Sequence, residues 1–115
     1  MSHNQKNDAY NISPKTEKKI ERKHNSISLD DIYYAFHNPL GGIFDDNRPE
    51  HKTEPPTRWF IGETEYGRKV KIAYIWPPGE KPRIKTAYEP KQPTLEYYKY
   101  IYFQSLKPFE YKRSY

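Results

Sequence analysis

The sequence predicts an α+β domain in which a small antiparallel meander sheet of three to four strands packs with two N-terminal helices and one C-terminal helix. Two patterns carry this prediction. Between Arg58 and Tyr88, apolar and polar side chains alternate in three runs that are separated by turn residues. On both sides of that region, capping residues precede segments whose apolar side chains recur at helical spacing.

Two helices are expected before the sheet. Ser13 followed by Pro14 is typical of a helix start and predicts a first helix over residues 15–24. Ser28 is placed to cap a second helix, because two aspartates follow it in the first turn, where the helix dipole favours negative charge. The second helix ends before a proline, and its core-facing stripe comprises Leu29, Ile32, Tyr33 and Phe36.

The sheet is predicted from three alternating runs, with a further short strand near residues 43–44. The runs are Arg58–Glu63, 69–76 and 82–88, and turns rich in glycine and proline separate them. Successive side chains of a strand point to opposite faces, so each run defines a core-facing set. The expected core-facing side chains of the last two runs are Val70, Ile72, Tyr74, Trp76, Ile84 and Thr86.

The polar ends of the chain set the expected domain boundaries. We expect a disordered N-terminal tail over residues 1–13, a single domain over 14–104 and a loose C-terminal tail over 105–115. Within the domain, Thr94 is placed to cap a last helix, in which Leu95, Tyr98 and Tyr102 share one stripe.

Basic side chains fall on the face of the sheet opposite the predicted core. Lys69 and Lys71 alternate with the apolar residues of one strand, and Arg83 and Lys85 do so in the next. Four cations on one surface favour a polyanionic partner, with RNA as the first candidate. The same pattern is also typical of the solvated outer face of an antiparallel sheet, and the sequence leaves both interpretations open.

The composition narrows the functional classes. The net charge is +5, the pI is about 9.3, and 12 of the 115 residues are tyrosine, which suits base stacking as well as protein interfaces. Cysteine is absent, which excludes disulfides and thiolate metal sites and fits a reducing compartment. The four histidines lack metal-ligand spacing. We therefore expect a cytoplasmic protein with no cofactor, no metal and no membrane segment.

One short motif has catalytic potential. Arg22, Lys23 and His24 lie at the predicted end of the first helix. A histidine that follows two cations could act as a general acid or base in RNA cleavage, with the cations stabilising charge on the phosphorus centre. The alternative is that the three side chains complement the negative end of the helix dipole.

Several segments together resemble one family. The motifs are 23–28 (Lys-His-Asn-Ser-Ile-Ser), 29–32, 38–39 (Asn-Pro), 58–62, 67–74 and 83–88. Their order resembles the BrnT-type toxins of the RelE-like ribonuclease superfamily and their uncharacterised small-domain relatives. The resemblance implies a compact sheet with flanking helices, RNA cleavage without a metal, and neutralisation by a cognate antitoxin protein. Asn25 and Tyr88 depart from it, standing where the toxins usually have glycine and arginine.

The expected function is therefore a metal-independent endoribonuclease toxin, with RNA and an antitoxin as partners. The alternative, which Tyr88 motivates, is a non-catalytic RNA- or protein-binding module of the same fold. The sequence leaves open whether the chain forms a homodimer or a hetero-oligomer with the antitoxin. The candidate catalytic residues are Lys23, His24, Arg58 and Tyr88, and the candidate phosphate-binding residues are Arg22, Arg68, Lys69, Lys71, Arg83 and Lys85.

Overall fold

The computed structural model describes residues 9–23 and 27–113, and it has the predicted α+β architecture. Four antiparallel strands form a meander sheet in the order β1-β2-β3-β4. The strands are β1 (Phe44–Asp45), β2 (Arg58–Glu63), β3 (Lys69–Ile75) and β4 (Arg83–Tyr88); the helices are α1 (Pro14–Lys23), α2 (Leu29–Phe36) and α3 (Gln92–Arg113); and a 3₁₀ turn spans Pro49–His51.

The two N-terminal helices begin where their caps predict. The hydroxyl of Ser13 accepts a hydrogen bond from the backbone N–H of Thr16 at 3.1 Å. Ser28 and Asp31 form a reciprocal capping box, in which each backbone N–H donates to the side chain of the other residue, at 3.0 and 3.1 Å. These bonds satisfy backbone donors that a helix start would otherwise leave unpaired, so both helix starts are fixed locally.

The two faces of the sheet are covered unequally. On the first face, α1 packs against β4, and α2 packs against β2 and β3. On the second face, α3 lies over β2, where Trp59 and Ile61 are buried. Neighbouring side chains of β3 and β4 on this second face stay partly exposed. The buried side chains that meet α1 and α2 include Phe60, Val70, Ile72, Tyr74, Ile84 and Ala87.

The closest approach between helix and sheet is at Gly62. A Cβ atom at this position would overlap the carbonyl oxygen of Ala35, which belongs to α2. Ala35 itself is fully buried. The backbone of α2 therefore rests directly on β2, and a larger residue at position 62 would push the helix away from the sheet.

A β-bulge in β4 places one residue on the face opposite to the one predicted for it. The pairing of β3 with β4 shifts between Ala73 and Tyr74, because Lys85 has no partner across the ladder. Thr86 therefore pairs with Ala73 on the second face, although the sequence analysis placed it in the core beside Ile84. In its place, the buried residue next to Ile84 on the first face is Ala87.

Part of the predicted N-terminal tail is ordered. Tyr10 is only 2% exposed, and its ring lies 4.8 Å from that of Phe36, centroid to centroid. Asn11 extends the edge of β4 in parallel: its N–H donates to the carbonyl of Pro82, and its carbonyl accepts from the N–H of Ile84, both at 2.8 Å. The expectation of disorder is therefore wrong for residues 9–13, because a large aromatic ring and the unpaired edge of β4 hold them.

Two further differences concern element ends. β3 ends at Ile75, so Trp76 is 52% exposed instead of core-facing, and its indole N–H donates to the carbonyl of Glu80 at 2.7 Å. The last helix continues to Arg113, past residue 104, where the sequence analysis ended the domain. The backbone of residues 105–113 is thus helical where a loose tail was expected.

We predict that Gly62→Ala lowers the free energy of unfolding by about 3 kcal/mol, because the new methyl group cannot be accommodated without separating α2 from β2. Urea denaturation of both variants measures the difference. Gly79→Ala is the control: Gly79 has a positive φ of 74° but open space around a Cβ, so we expect a loss of about 1 kcal/mol. Equal losses in the two variants would contradict the close approach.

We also predict that Tyr10→Ala lowers the free energy of unfolding by about 3–5 kcal/mol, as removal of a buried aromatic ring does. Thermal and urea denaturation measure it. Tyr66→Ala serves as the control, since Tyr66 is 88% exposed and its loss should change stability by less than about 0.5 kcal/mol. If Tyr10→Ala leaves the free energy of unfolding unchanged, residues 9–13 are not held to the domain and the expected loose tail is correct.

Candidate nucleic-acid interface

A groove of about 820 Å³ lies on the second face of the sheet. Its floor consists of side chains from β2, β3 and β4. One wall is the segment that runs through β1 to Arg48, and the other is the first half of α3. The groove exists because α3 crosses the β2 side of this face and leaves the β3–β4 side open. The floor residues are Trp59, Lys71, Ala73, Thr86 and Tyr88.

An aromatic cluster holds α3 in this position. The rings of Phe44, Trp59 and Tyr98 lie 5.6–5.8 Å from one another, centroid to centroid, in tilted or edge-to-face arrangements. The Tyr98 hydroxyl donates to the carbonyl of Gly42 at 2.8 Å, and burial raises the pKa of this phenol. Tyr98 therefore remains a neutral donor at ordinary pH and ties α3 to the segment before β1.

Lys71 is the central cation of the groove. Its ammonium lies 4.4 Å from the centroid of the Trp59 ring and 5.7 Å from that of Tyr88. Within the described part of the chain, Lys71 makes no salt bridge with a carboxylate. A lysine held over two rings is oriented while its charge remains available to an incoming anion.

A second pocket, of about 330 Å³, adjoins the groove and shares Asp46, Arg48, Thr57, Ala73 and Thr86 with it. We call it the basic pocket. Arg48 stands between the two and forms a two-point ion pair with Asp46, at 2.9 and 2.8 Å, which raises the pKa of the guanidinium. The charged side chains that line the basic pocket are Lys19, Arg48, Lys52, Lys85, Asp46 and Glu50.

The six predicted phosphate-binding residues do not form one surface. Lys69 pairs with Glu63 at 2.8 Å and Arg83 pairs with Glu80 at 3.0 Å. Arg68 lies 3.0 Å from a carboxylate oxygen of Glu89, and farther from Asp31.

α3 also separates Lys69 from Lys71, because Lys69 lines a different cleft, beside Leu95 and Tyr98. Lys71 borders the groove and Lys85 the basic pocket, while Arg22 is exposed in the last turn of α1.

The predicted catalytic set is not brought together among the described residues. The strand register pairs Arg58 with Tyr74, on the face covered by α1 and α2, and Arg58 also lies 3.4 Å from Asp45. The register pairs Tyr88 with Lys71, on the opposite face. Lys23 is exposed at the end of α1, and His24 lies outside the described residues. The register therefore places Arg58 and Tyr88 on opposite faces of the sheet.

The sequence analysis missed four residues that line the groove or the basic pocket. Lys19 lies in the first helix, which was predicted from its cap, Ser13 followed by Pro14. Arg48 and Lys52 belong to a segment read as a loop, and Tyr97 lies beside the stripe that identified α3. Only the tertiary arrangement places Lys19, Arg48, Lys52 and Tyr97 around one surface.

The described residues contain neither a cluster suited to a metal ion nor a helix suited to a membrane. No group of three or more His, Cys, Asp or Glu side chains there could hold a metal ion. No helix in the described ranges has the length and apolar character that crossing a membrane requires.

In comparisons with known proteins, the chain matches no protein-family model and no curated protein. The resemblance to BrnT-type toxins therefore stays a prediction from short motifs. What supports a function is the local arrangement of side chains described above.

Proposed function

We propose that this chain is a binding module for single-stranded RNA, which it holds in the groove between α3 and the sheet. The observation that carries the proposal is the position of Lys71. Its ammonium lies over the Trp59 and Tyr88 rings in an open groove that continues into the basic pocket. A cation among aromatic side chains along a concave track is the usual design of a sequence-tolerant single-strand site.

The charge of the whole chain favours a polyanion, whereas the groove itself is lined by two cations, Arg48 and Lys71, and two carboxylates, Asp45 and Asp46. The whole chain carries a net charge of +5, which steers anions toward it over distances of about a Debye length. Carboxylates neutralise part of that charge in ion pairs with Arg68, Lys69 and Arg83, which do not line the groove. Lys71 and the lysines of the basic pocket line cavities and form no salt bridge among the described residues, so phosphates are best accommodated there.

The aromatic residues favour a single strand over a duplex. Tyr97 is 57% exposed on the α3 wall, and Tyr88 lies on the floor. A base can stack on such rings only when it is free of its own stacking partners, as in loops and single strands. Trp59 contributes differently, because it is 9% exposed and its ring supports Lys71.

Binding is favoured over cleavage by the position of Arg58 and Tyr88 on opposite faces of the sheet. The endoribonuclease function and the cognate antitoxin remain predictions that rest on the resemblance. A cytoplasmic location is part of the proposal, since RNA is abundant there and the lack of cysteine fits a reducing compartment.

We predict that Lys71→Gln weakens binding of a single-stranded RNA roughly tenfold and lowers the slope of log affinity against log salt by about one, as the loss of one phosphate contact does. Lys69→Gln is a matched control: it removes the same charge two residues away on the same strand, but Lys69 is paired with Glu63 on the other flank of α3. Fluorescence anisotropy across a salt series measures both variants. Equal effects would show that the groove is not the binding site.

We further predict that Tyr97→Ala costs about 1–3 kcal/mol of RNA-binding free energy, the range found when a stacking aromatic is removed. Tyr97 is exposed on a helix, and alanine favours helix, so the fold should be kept. Tyr66→Ala, at an exposed turn residue of the same type, should bind RNA like the unaltered protein. The proposal fails if the affinity of the Tyr97 variant is unchanged while Tyr66→Ala binds normally.

A further inference from the structure

The basic pocket has an excess of positive charge that the described residues do not balance. Four cationic side chains and two carboxylates line it, so two positive charges are left over. Arg48 and Asp46 are paired with each other through two contacts. Among the described residues, Lys19, Lys52 and Lys85 form no salt bridge, and Glu50 is the other carboxylate of the lining.

Two of these lysines come from elements that pack against each other, α1 and β4. The ammonium of Lys19, on α1, donates to the backbone carbonyl of Lys85 at 2.9 Å. Lys85 is the bulged residue of β4, and the bulge frees its side chain from the regular alternation of the strand. Burial, followed by the charges of Lys23 and Lys85, lowers the pKa of Lys19. The side chains of Lys19 and Lys85 both line the basic pocket, and an anion bound between them would offset their mutual repulsion.

Two of the three threonine hydroxyl groups that line the pocket are already engaged in hydrogen bonds. Thr53 has its Oγ1 2.7 Å from the carbonyl of Pro55 and 2.9 Å from the Oγ1 of Thr57. A single proton on each hydroxyl is enough to satisfy this chain, in which Thr57 donates to Thr53 and Thr53 donates to Pro55. The groups of the pocket that can bind an anion are therefore the lysine ammonium groups and the hydroxyl of Thr86.

We propose that the basic pocket binds a phosphate monoester, the terminal phosphate of an RNA strand whose following nucleotides lie in the groove. The proposal rests on the RNA-binding function proposed above. A terminal phosphate carries a charge of about −1.5 to −2 at neutral pH, against −1 for an internal phosphodiester, so it matches the two uncompensated positive charges better. The pocket adjoins the groove through Ala73 and Thr86, so one strand can reach both.

The test compares single-stranded RNA of one sequence, about eight nucleotides long to match a typical site size, with a 5′ phosphate, a 3′ phosphate or hydroxyls at both ends. We expect one phosphorylated form to bind roughly tenfold more tightly than the hydroxyl form, as an added charge-assisted contact provides. Lys85→Gln should remove this preference, so that the phosphorylated strands and the hydroxyl strand bind it with about equal affinity. Lys52→Gln should reduce the preference for the phosphorylated strand.

Lys81→Gln is the matched control, since Lys81 is an exposed lysine of the same hairpin that lies outside the basic pocket. It should retain the full preference. Thermal denaturation verifies that each variant is folded; Lys85 and Lys52 are exposed, so their substitution should cost less than about 0.5 kcal/mol.

The outcomes separate this inference from the proposed function. Equal affinity for all three strands overturns the terminal-phosphate site and leaves the groove as the RNA site. Loss of preference in Lys81→Gln as well as in Lys85→Gln also overturns it. If no strand binds but a nucleoside monophosphate does, and Lys85→Gln abolishes that binding, the phosphate site stands and the RNA function falls. If neither strand nor nucleotide binds, both are overturned.

Discussion

The rest of the structure depends on β2 being buried on both faces. Phe60 and Gly62 face α2, whose backbone touches the strand at Gly62, while Trp59 and Ile61 face α3. A small domain gains most of its stability from apolar area removed from water, and a strand used on both faces contributes twice. With one helical layer on each side of the sheet, β2 is the strand against which both layers pack.

The position of α3 over β2 also creates the groove. The Phe44, Trp59 and Tyr98 cluster draws the helix toward the β1–β2 edge, and the partly exposed side chains of β3 and β4 are left beside it. The same indole ring that helps to hold α3 lies beneath the ammonium of Lys71. Trp59 thus belongs both to the core and to the candidate binding surface, so core packing fixes the ring on which Lys71 rests.

Local patterns predicted the elements, whereas tertiary contacts decided their use. The Ser28 cap and the alternation of Val70, Ile72 and Tyr74 are readable from neighbouring residues, and both are present. The bulge at Lys85 is a departure from alternation, so a strict period of two assigned Thr86 to the wrong face. Tyr10 was missed because one buried ring in a polar segment has no periodicity, and its partner Phe36 is remote in sequence.

The basic face shows why charge patterning alone could not identify the site. The sequence correctly placed Lys69 and Lys71 on one face, yet their environments differ because a helix passes between them. An ion pair with Glu63 satisfies Lys69, while two aromatic rings orient Lys71 without neutralising it. Exposed ion pairs contribute little to stability, but they reduce the charge that a ligand meets. The cations most available to an anion are those that line a cavity and form no salt bridge among the described residues, as Lys19 and Lys85 do in the basic pocket.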